Sequence, residues 1–166
     1  MPITISGSTG VAGVDGSVGT PALQGTDTNT GIYYGADIIY GSAGGTQKFR
    51  VDSTGIYAPA NAAAIIYGLT DAATIAVDMS LANNFSVTLG GNRTLGNPTG
   101  LTAGQSGIIF LTQDGTGSRT LAYSSYWDFP NAIAPVLTTT ANAVDVLIYT
   151  VRTTTSIAVN YMLNIG

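Results

Sequence analysis

The C-terminal part of the chain alternates runs of β-forming residues with turn signals. Runs rich in Thr, Val, Ile and Tyr predict strands near 74–79, 84–89, 107–113, 118–123, 144–151 and 156–163. Gly and Asn clusters separate these runs, and Asp114-Gly115 between two of them predicts a tight hairpin. No amphipathic helix interrupts the series. Residues 70–166 are therefore predicted to form an all-β domain, a jelly-roll-like β-sandwich.

Residues 20–69 also consist of short strand-like runs, and we interpret them as a small β module. The segments at 31–35, 37–41 and 65–68 echo one another, but their spacing is too irregular for a solenoid repeat. The segment 47–52 alternates cleanly. Its charged residues face one way, and Phe49 and Val51 face the other, which is typical of a half-buried strand.

The first 19 residues carry glycine at a strict period of three, at Gly7, Gly10, Gly13, Gly16 and Gly19. This is the Gly-X-Y spacing of a three-stranded helix, although proline is missing from the X and Y positions. The alternative is a single extended arm that becomes ordered only on a partner. Both interpretations place residues 1–19 at an interface, and the apolar contact residues we expect there are Ile3, Ile5, Val11 and Val14.

Composition excludes several kinds of chemistry. The chain has no His and no Cys, and all nine acidic residues are Asp. A Ser-His-Asp triad, a cysteine nucleophile, a disulfide and a zinc site of Cys or His type are therefore impossible within one chain. The aspartates lack the spacing of a calcium loop or of a glycosidase carboxylate pair. We expect no enzymatic activity, no catalytic residues, no cofactor and no metal.

The few charged residues are more easily explained as structural groups. Five aspartates lie at turns and strand ends, where aspartate commonly caps the backbone or is solvated: Asp27, Asp37, Asp52, Asp71 and Asp78. Arg93 and Arg119 stand in similar contexts, Asn-Arg-Thr-Leu and Ser-Arg-Thr-Leu. We expect each arginine to pair with an aspartate or to bind backbone carbonyls.

Low charge also bears on partners. Only 8% of residues are charged and the net charge is −4, which argues against nucleic acid or an anionic membrane as the main partner. No apolar run approaches the ~18 residues of a membrane span. A surface with so little charge is expected to be covered by neighbouring subunits.

Two stretches of sequence bear on the family. The C-terminal string comprises Asn92–Thr99, Gly104–Gly107, Thr112–Leu121, Tyr126–Pro130, Ala134-Pro135 and Thr140–Leu147. In this order the string resembles a β-sandwich module found at the ends of virion proteins of tailed bacteriophages. The segment from Ala22 to Gly55 is similar to a module of phage fibres. The resemblance implies a phage structural protein that forms a homotrimer.

Two functions follow from that resemblance. The first is a trimeric capsid decoration, or cement, protein on the outer surface of the head, whose N-terminal arms hold the major capsid protein or other virion proteins. The alternative is a short tail fibre or receptor-binding tip that recognises a host surface glycan. For the second, Tyr123, Tyr126 and Trp127 are candidate aromatic platforms for a sugar, although packing in the sandwich core explains them equally well.

Overall fold

The structure is a computed structural model that describes residues 4–6, 10–58 and 63–165, with side chains from residue 13 onward. The chain divides into two compact units, Met1–Ala63 and Ala64–Gly166, called here the N-terminal and the C-terminal unit. In the described parts of both units the regular structure is β-strand with one 3-10 turn at Pro130–Ala132, which confirms the all-β prediction. Within those parts we find no helix long and apolar enough to cross a bilayer.

The N-terminal unit contains a strand pair and a five-stranded sheet. Strands β1 (Thr4–Ser6) and β2 (Gly10–Ala12) pair antiparallel. The sheet is an antiparallel meander in chain order, with strands β3 (Leu23–Gln24), β4 (Gly31–Gly35), β5 (Ile38–Ala43), β6 (Thr46–Asp52) and β7 (Gly55–Tyr57). Gly44 and Gly45 both have positive φ, as a two-residue type I′ hairpin turn requires.

The predicted arm is more structured than a single extended segment. Ile5 and Val11 are register partners of the β1–β2 pair, and this pairing differs from the polyproline backbone of a Gly-X-Y triple helix. Further along, the carbonyl oxygen of Asp15 accepts a hydrogen bond from the Tyr34 amide at 2.8 Å. Ile3 lies outside the described residues, as do the side chains of Ile5 and Val11.

The C-terminal unit is built from two sheets. Its strands are β8 (Ile66–Gly68), β9 (Thr74–Ile75), β10 (Asn84–Leu89), β11 (Arg93–Leu95), β12 (Ser106–Gln113), β13 (Leu121–Tyr123), β14 (Trp127–Asp128), β15 (Val144–Thr153) and β16 (Ser156–Met162). The six-stranded sheet has the order β14-β16-β15-β12-β10-β8, and the three-stranded sheet has the order β13-β11-β9.

The connections between the sheets differ from those of a jelly roll. Strands β8, β10 and β12 are parallel neighbours in the larger sheet, and β9, β11 and β13 are parallel neighbours in the smaller one. The chain therefore winds through three coils, each giving one strand to each sheet, before β15 and β16 extend the larger sheet antiparallel. A jelly roll is built from antiparallel Greek keys, so the predicted two-sheet architecture holds but the predicted connectivity does not.

The core of the C-terminal unit lies between its two sheets. Alternate residues of each strand point inward, so parallel pairing stacks them into ladders such as Phe85 on Ile109 and Ile75 on Leu95. The fully buried side chains include Ile75, Met79, Phe85, Leu89, Leu95, Ile109, Leu111, Leu147, Tyr149, Val151 and Ile157. This unit thus buries its own apolar surface within a single chain.

The hairpin predicted at Asp114-Gly115 is wrong. Strands β12 and β13 belong to different sheets, and the segment between them is the corner at which the third coil turns. Asp114 Oδ1 accepts hydrogen bonds from the amides of Thr116 and Gly117, and the buried Gln113 side chain binds both the amide and the carbonyl of Arg119. An Asp-Gly pair favours a tight turn but does not determine which strand follows it.

Candidate interaction surfaces

The acidic side chains cap turns and do not gather into a site. Asp27 binds the amide of Asn29 and the hydroxyl of Thr30, and Asp52 and Asp78 make equivalent bonds two residues ahead. This confirms the sequence interpretation of these three residues. Across residues 4–6, 10–58 and 63–165, no three acidic side chains cluster closely enough to hold a metal ion.

The two predicted arginine pairs form within the chain. Arg93 binds Asp71 through two hydrogen bonds of 2.7 Å, and Arg119 binds Asp114 at 2.8 and 3.1 Å. The first pair joins β11 to the segment between β8 and β9, the second lies within the segment between β12 and β13, and each is about a quarter exposed. The arginines therefore stabilise the coils and are not available as a cationic binding surface.

These pairs lead to a prediction for the effect of pH on stability. The Arg93 guanidinium lowers the pKa of Asp71, and the Arg119 guanidinium lowers the pKa of Asp114. A lowered native pKa contributes stability that is present above the unfolded value, about 3.9, and is lost as the pH falls. Burial raises the pKa of Tyr149 to about 12, so stability should also fall as the pH rises above about 10.

We therefore expect a thermal midpoint that is nearly constant from pH 5 to 8, because the chain lacks histidine, the side chain whose ordinary pKa lies in this range. It should fall in acid and again in strong alkali. The variant Arg93→Gln should lose more stability at pH 7 than at pH 3, as measured by thermal unfolding at both values. An equal loss at the two pH values would show that the Asp71–Arg93 pair does not cause the loss of stability in acid.

The predicted sugar-binding aromatics lie largely inside the C-terminal unit. Trp127 is 5% exposed, and its indole nitrogen donates a 2.9 Å hydrogen bond to the carbonyl of Gly96. Tyr123 packs edge-on against Phe129 with ring centroids 4.6 Å apart, and Tyr126 is partly buried against the same core. Tyr123 and Trp127 border a shallow groove of about 320 Å³, but the Trp127 ring offers no open face to a sugar.

A continuous exposed apolar surface lies instead on the five-stranded sheet of the N-terminal unit. Cross-strand register places one set of side chains on the same side of the sheet. In this set Leu23 pairs with Ile32, Tyr34 pairs with Ile39, and Val51 pairs with Ile56. Each residue of this set is between 36% and 82% exposed. We call it the apolar face, and it consists of Leu23, Ile32, Tyr34, Ile39, Phe49, Val51 and Ile56.

The opposite side of that sheet carries its polar and charged groups. Arg50 binds Asp52 at 3.0 Å and lies 4.8 Å from the centre of the Tyr57 ring. On the same side, the rings of Tyr33 and Tyr40 stack with centroids 4.6 Å apart. The predicted alternation of segment 47–52 is thus confirmed, but its apolar side is the more exposed one within a single chain.

A glycine helps to flatten the apolar face. Gly41 is the cross-strand partner of Phe49, and a Cβ at position 41 would lie 2.2 Å from the Phe49 ring. The absent side chain leaves room for the ring to lie across β5. The sequence pattern indicated Phe49 and Val51 but not the rest of the face. In runs such as Gly-Ile-Tyr-Tyr-Gly, apolar residues occupy both sides of the strand, so no alternation of apolar and polar residues is visible.

Comparison with known families bears on the C-terminal unit. A family model described as "Putative phage tail fibre C-terminal domain" matches residues 69–155, which is more than half of the 166-residue chain. The chain belongs to this family. No curated protein and no solved structure matches it.

The tail fibre C-terminal domain spans strands β9 to β15. It thus covers most of residues 66–162, the three coils together with β14 to β16, which we call the coil stack. The phage-like string found in the sequence, from Asn92 to Leu147, falls wholly within it. The predicted relationship to phage virion structural proteins is therefore confirmed. Between the two functions drawn from that relationship, the family supports a tail fibre better than a capsid decoration protein.

Proposed function

We propose that this protein is a non-enzymatic structural subunit of a phage tail fibre and that it assembles as a homotrimer. The observation that carries the proposal is the match of the coil stack to the tail fibre C-terminal domain family. The composition agrees with it, because the chain lacks the residues of most catalytic and metal sites and carries little charge to keep subunits apart.

The apolar face supports an assembled state. Soluble monomers rarely expose contiguous apolar patches of more than a few hundred Å², and larger ones mark interaction surfaces. In the C-terminal unit each chain buries its own core, whereas in the N-terminal sheet the large apolar side chains remain exposed. We therefore assign assembly to the N-terminal sheet.

Recognition of a host glycan is a further part of the proposal for a fibre tip. Because the Trp127 ring is buried, a sugar would have to bind loop side chains and partly exposed rings such as Tyr126. A binding site on the coil stack would therefore lie on its loops. The groove there is shallow and open, and the side chains stacked along the strands are buried in the core.

Location and copy number in the virion test the proposal. We expect antibody labelling at the tail, tens of copies or fewer per particle by quantitative mass spectrometry, and slower adsorption of phage to host cells that have been incubated with the purified protein. Hundreds of copies on the head would overturn the tail fibre assignment in favour of capsid decoration. Tail labelling without any effect on adsorption would restrict the protein to a structural role in the fibre.

A further inference from the structure

The burial pattern of the five-stranded sheet is inverted relative to that of an ordinary half-buried sheet. Along β4 and β5 and over residues 49–52 of β6, the exposed positions are the apolar ones, including Ile32, Ile39 and Phe49, while the alternate positions are less exposed. An antiparallel sheet normally packs its apolar side on a core and turns its polar side to water. Something must therefore cover this side in the working protein.

The size of the apolar face matches a protein–protein contact. With roughly 200 Å² for each large side chain, the exposed fractions of its seven residues amount to roughly 600 Å² per chain. Two such faces meeting would bury roughly 1,200 Å² in total, which lies at the lower end of the range of stable, specific interfaces. The face thus has the area of a small specific interface between two copies of the chain.

The chemistry of the face favours another copy of the same surface. Its members carry no charge, and the only polar atom among them is the Tyr34 hydroxyl. Burying an apolar surface is most favourable against an equally apolar partner. Because Gly41 has no side chain, the face is flat there and a partner can approach closely. On the opposite side, Arg50 and Asp52 pair with each other, with side chains 40% and 14% exposed.

We propose that the apolar face packs against the apolar faces of other copies of this chain, so that the N-terminal sheets form a shared core around the axis of the assembly. The apolar face would then be the contact surface of the homotrimer proposed above. Only the number of copies in the assembly rests on that earlier proposal. Ile56, at 82% exposure, is the most exposed member and provides the most sensitive test.

The test compares Ile56→Asp with Val136→Asp in the full chain. Both residues are β-branched, both are 82% exposed, and Val136 lies in a loop of the C-terminal unit. In light scattering after size exclusion, we expect Ile56→Asp to require roughly 100-fold or more higher protein concentration for assembly, because it brings like charges together in an apolar contact. Val136→Asp should assemble as the wild type does. Equal assembly of both variants would overturn the proposal.

A second probe avoids introducing a charge. Since the chain has no cysteine, Ile56→Cys and Val136→Cys each provide a single thiol. In the assembled protein, maleimide should label Cys at position 136 at least about tenfold faster than at position 56. Equal labelling would overturn the proposal, and so would protection of position 56 in a monomeric preparation, because the cover would then come from the same chain. Neither probe depends on where the protein lies in the virion, so this inference can fail while the tail fibre assignment stands, and the reverse.

Discussion

Gly107→Ala is expected to lower the free energy of unfolding of the C-terminal unit by about 3 kcal/mol or more. A Cβ at position 107 would lie 1.6 Å from the carbonyl oxygen of Asn83 and 2.9 Å from the Tyr149 hydroxyl. That hydroxyl crosses Gly107, its register partner, to donate a 2.7 Å hydrogen bond to the same carbonyl. The added methyl must therefore separate β12 from the adjoining loop and break a hydrogen bond of the buried tyrosine.

Gly115→Ala is the matched control, because a Cβ at position 115 would meet open space. Thermal unfolding followed by the fluorescence of Trp127, the single tryptophan, reports on this unit directly. A loss of 3 kcal/mol corresponds to a decrease of roughly 12 °C or more in Tm for a unit of this size. A Gly107→Ala protein whose Tm matches that of Gly115→Ala would contradict the close packing of Tyr149 over position 107.

Asp145→Ala is the second substitution expected to have a large effect, with a loss of about 3 to 5 kcal/mol. Asp145 is 1% exposed, and its carboxylate accepts three hydrogen bonds, from the amide and the hydroxyl of Thr138 and from the amide of Asn164. Removing the carboxylate deprives two backbone amides, those of Thr138 and Asn164, of their acceptor beside a buried site. Each such donor costs about 1 to 3 kcal/mol.

Asp145→Asn separates the loss of charge from the loss of the acceptor, since the amide keeps one oxygen and should retain part of the stability. Asp15→Ala serves as the exposed control. Hydrogen exchange at Thr138 and Asn164 should accelerate in Asp145→Ala, because both amides lose their acceptor. Slow exchange at both amides in the alanine variant would show that the carboxylate does not hold these segments.

Long, regular strands were predictable from sequence and short ones were not. The alternation of Phe85, Val87 and Leu89 predicted β10 with its observed bounds, and β15 and β16 were predicted to within two residues. No strand was predicted at the three-residue strand β11, because three residues are too few to establish a period. The parallel pairing of successive coils was hidden because turn residues show where a chain bends and not which strand it next meets.

The interaction surface was only partly predictable for a related reason. Alternation in segment 47–52 separated Phe49 and Val51 from the charged residues, but nothing local shows that the apolar side is left uncovered by the rest of the chain. For Trp127, the local cluster of aromatic residues indicated either packing in the core or binding of a sugar. The hydrogen bond to the carbonyl of Gly96, which decides where the ring lies, joins residues 31 positions apart.

The uncovered face of the N-terminal sheet has a kinetic consequence. The coil stack encloses its own core, so one chain can complete it in a unimolecular reaction whose rate is independent of concentration. If copies of the chain cover Ile56 and its neighbours, the N-terminal sheet becomes stable only after chains collide, in a step whose rate rises with concentration. The two units of one polypeptide then fold at different rates. The rate for the N-terminal sheet depends on how much of this protein the cell synthesises.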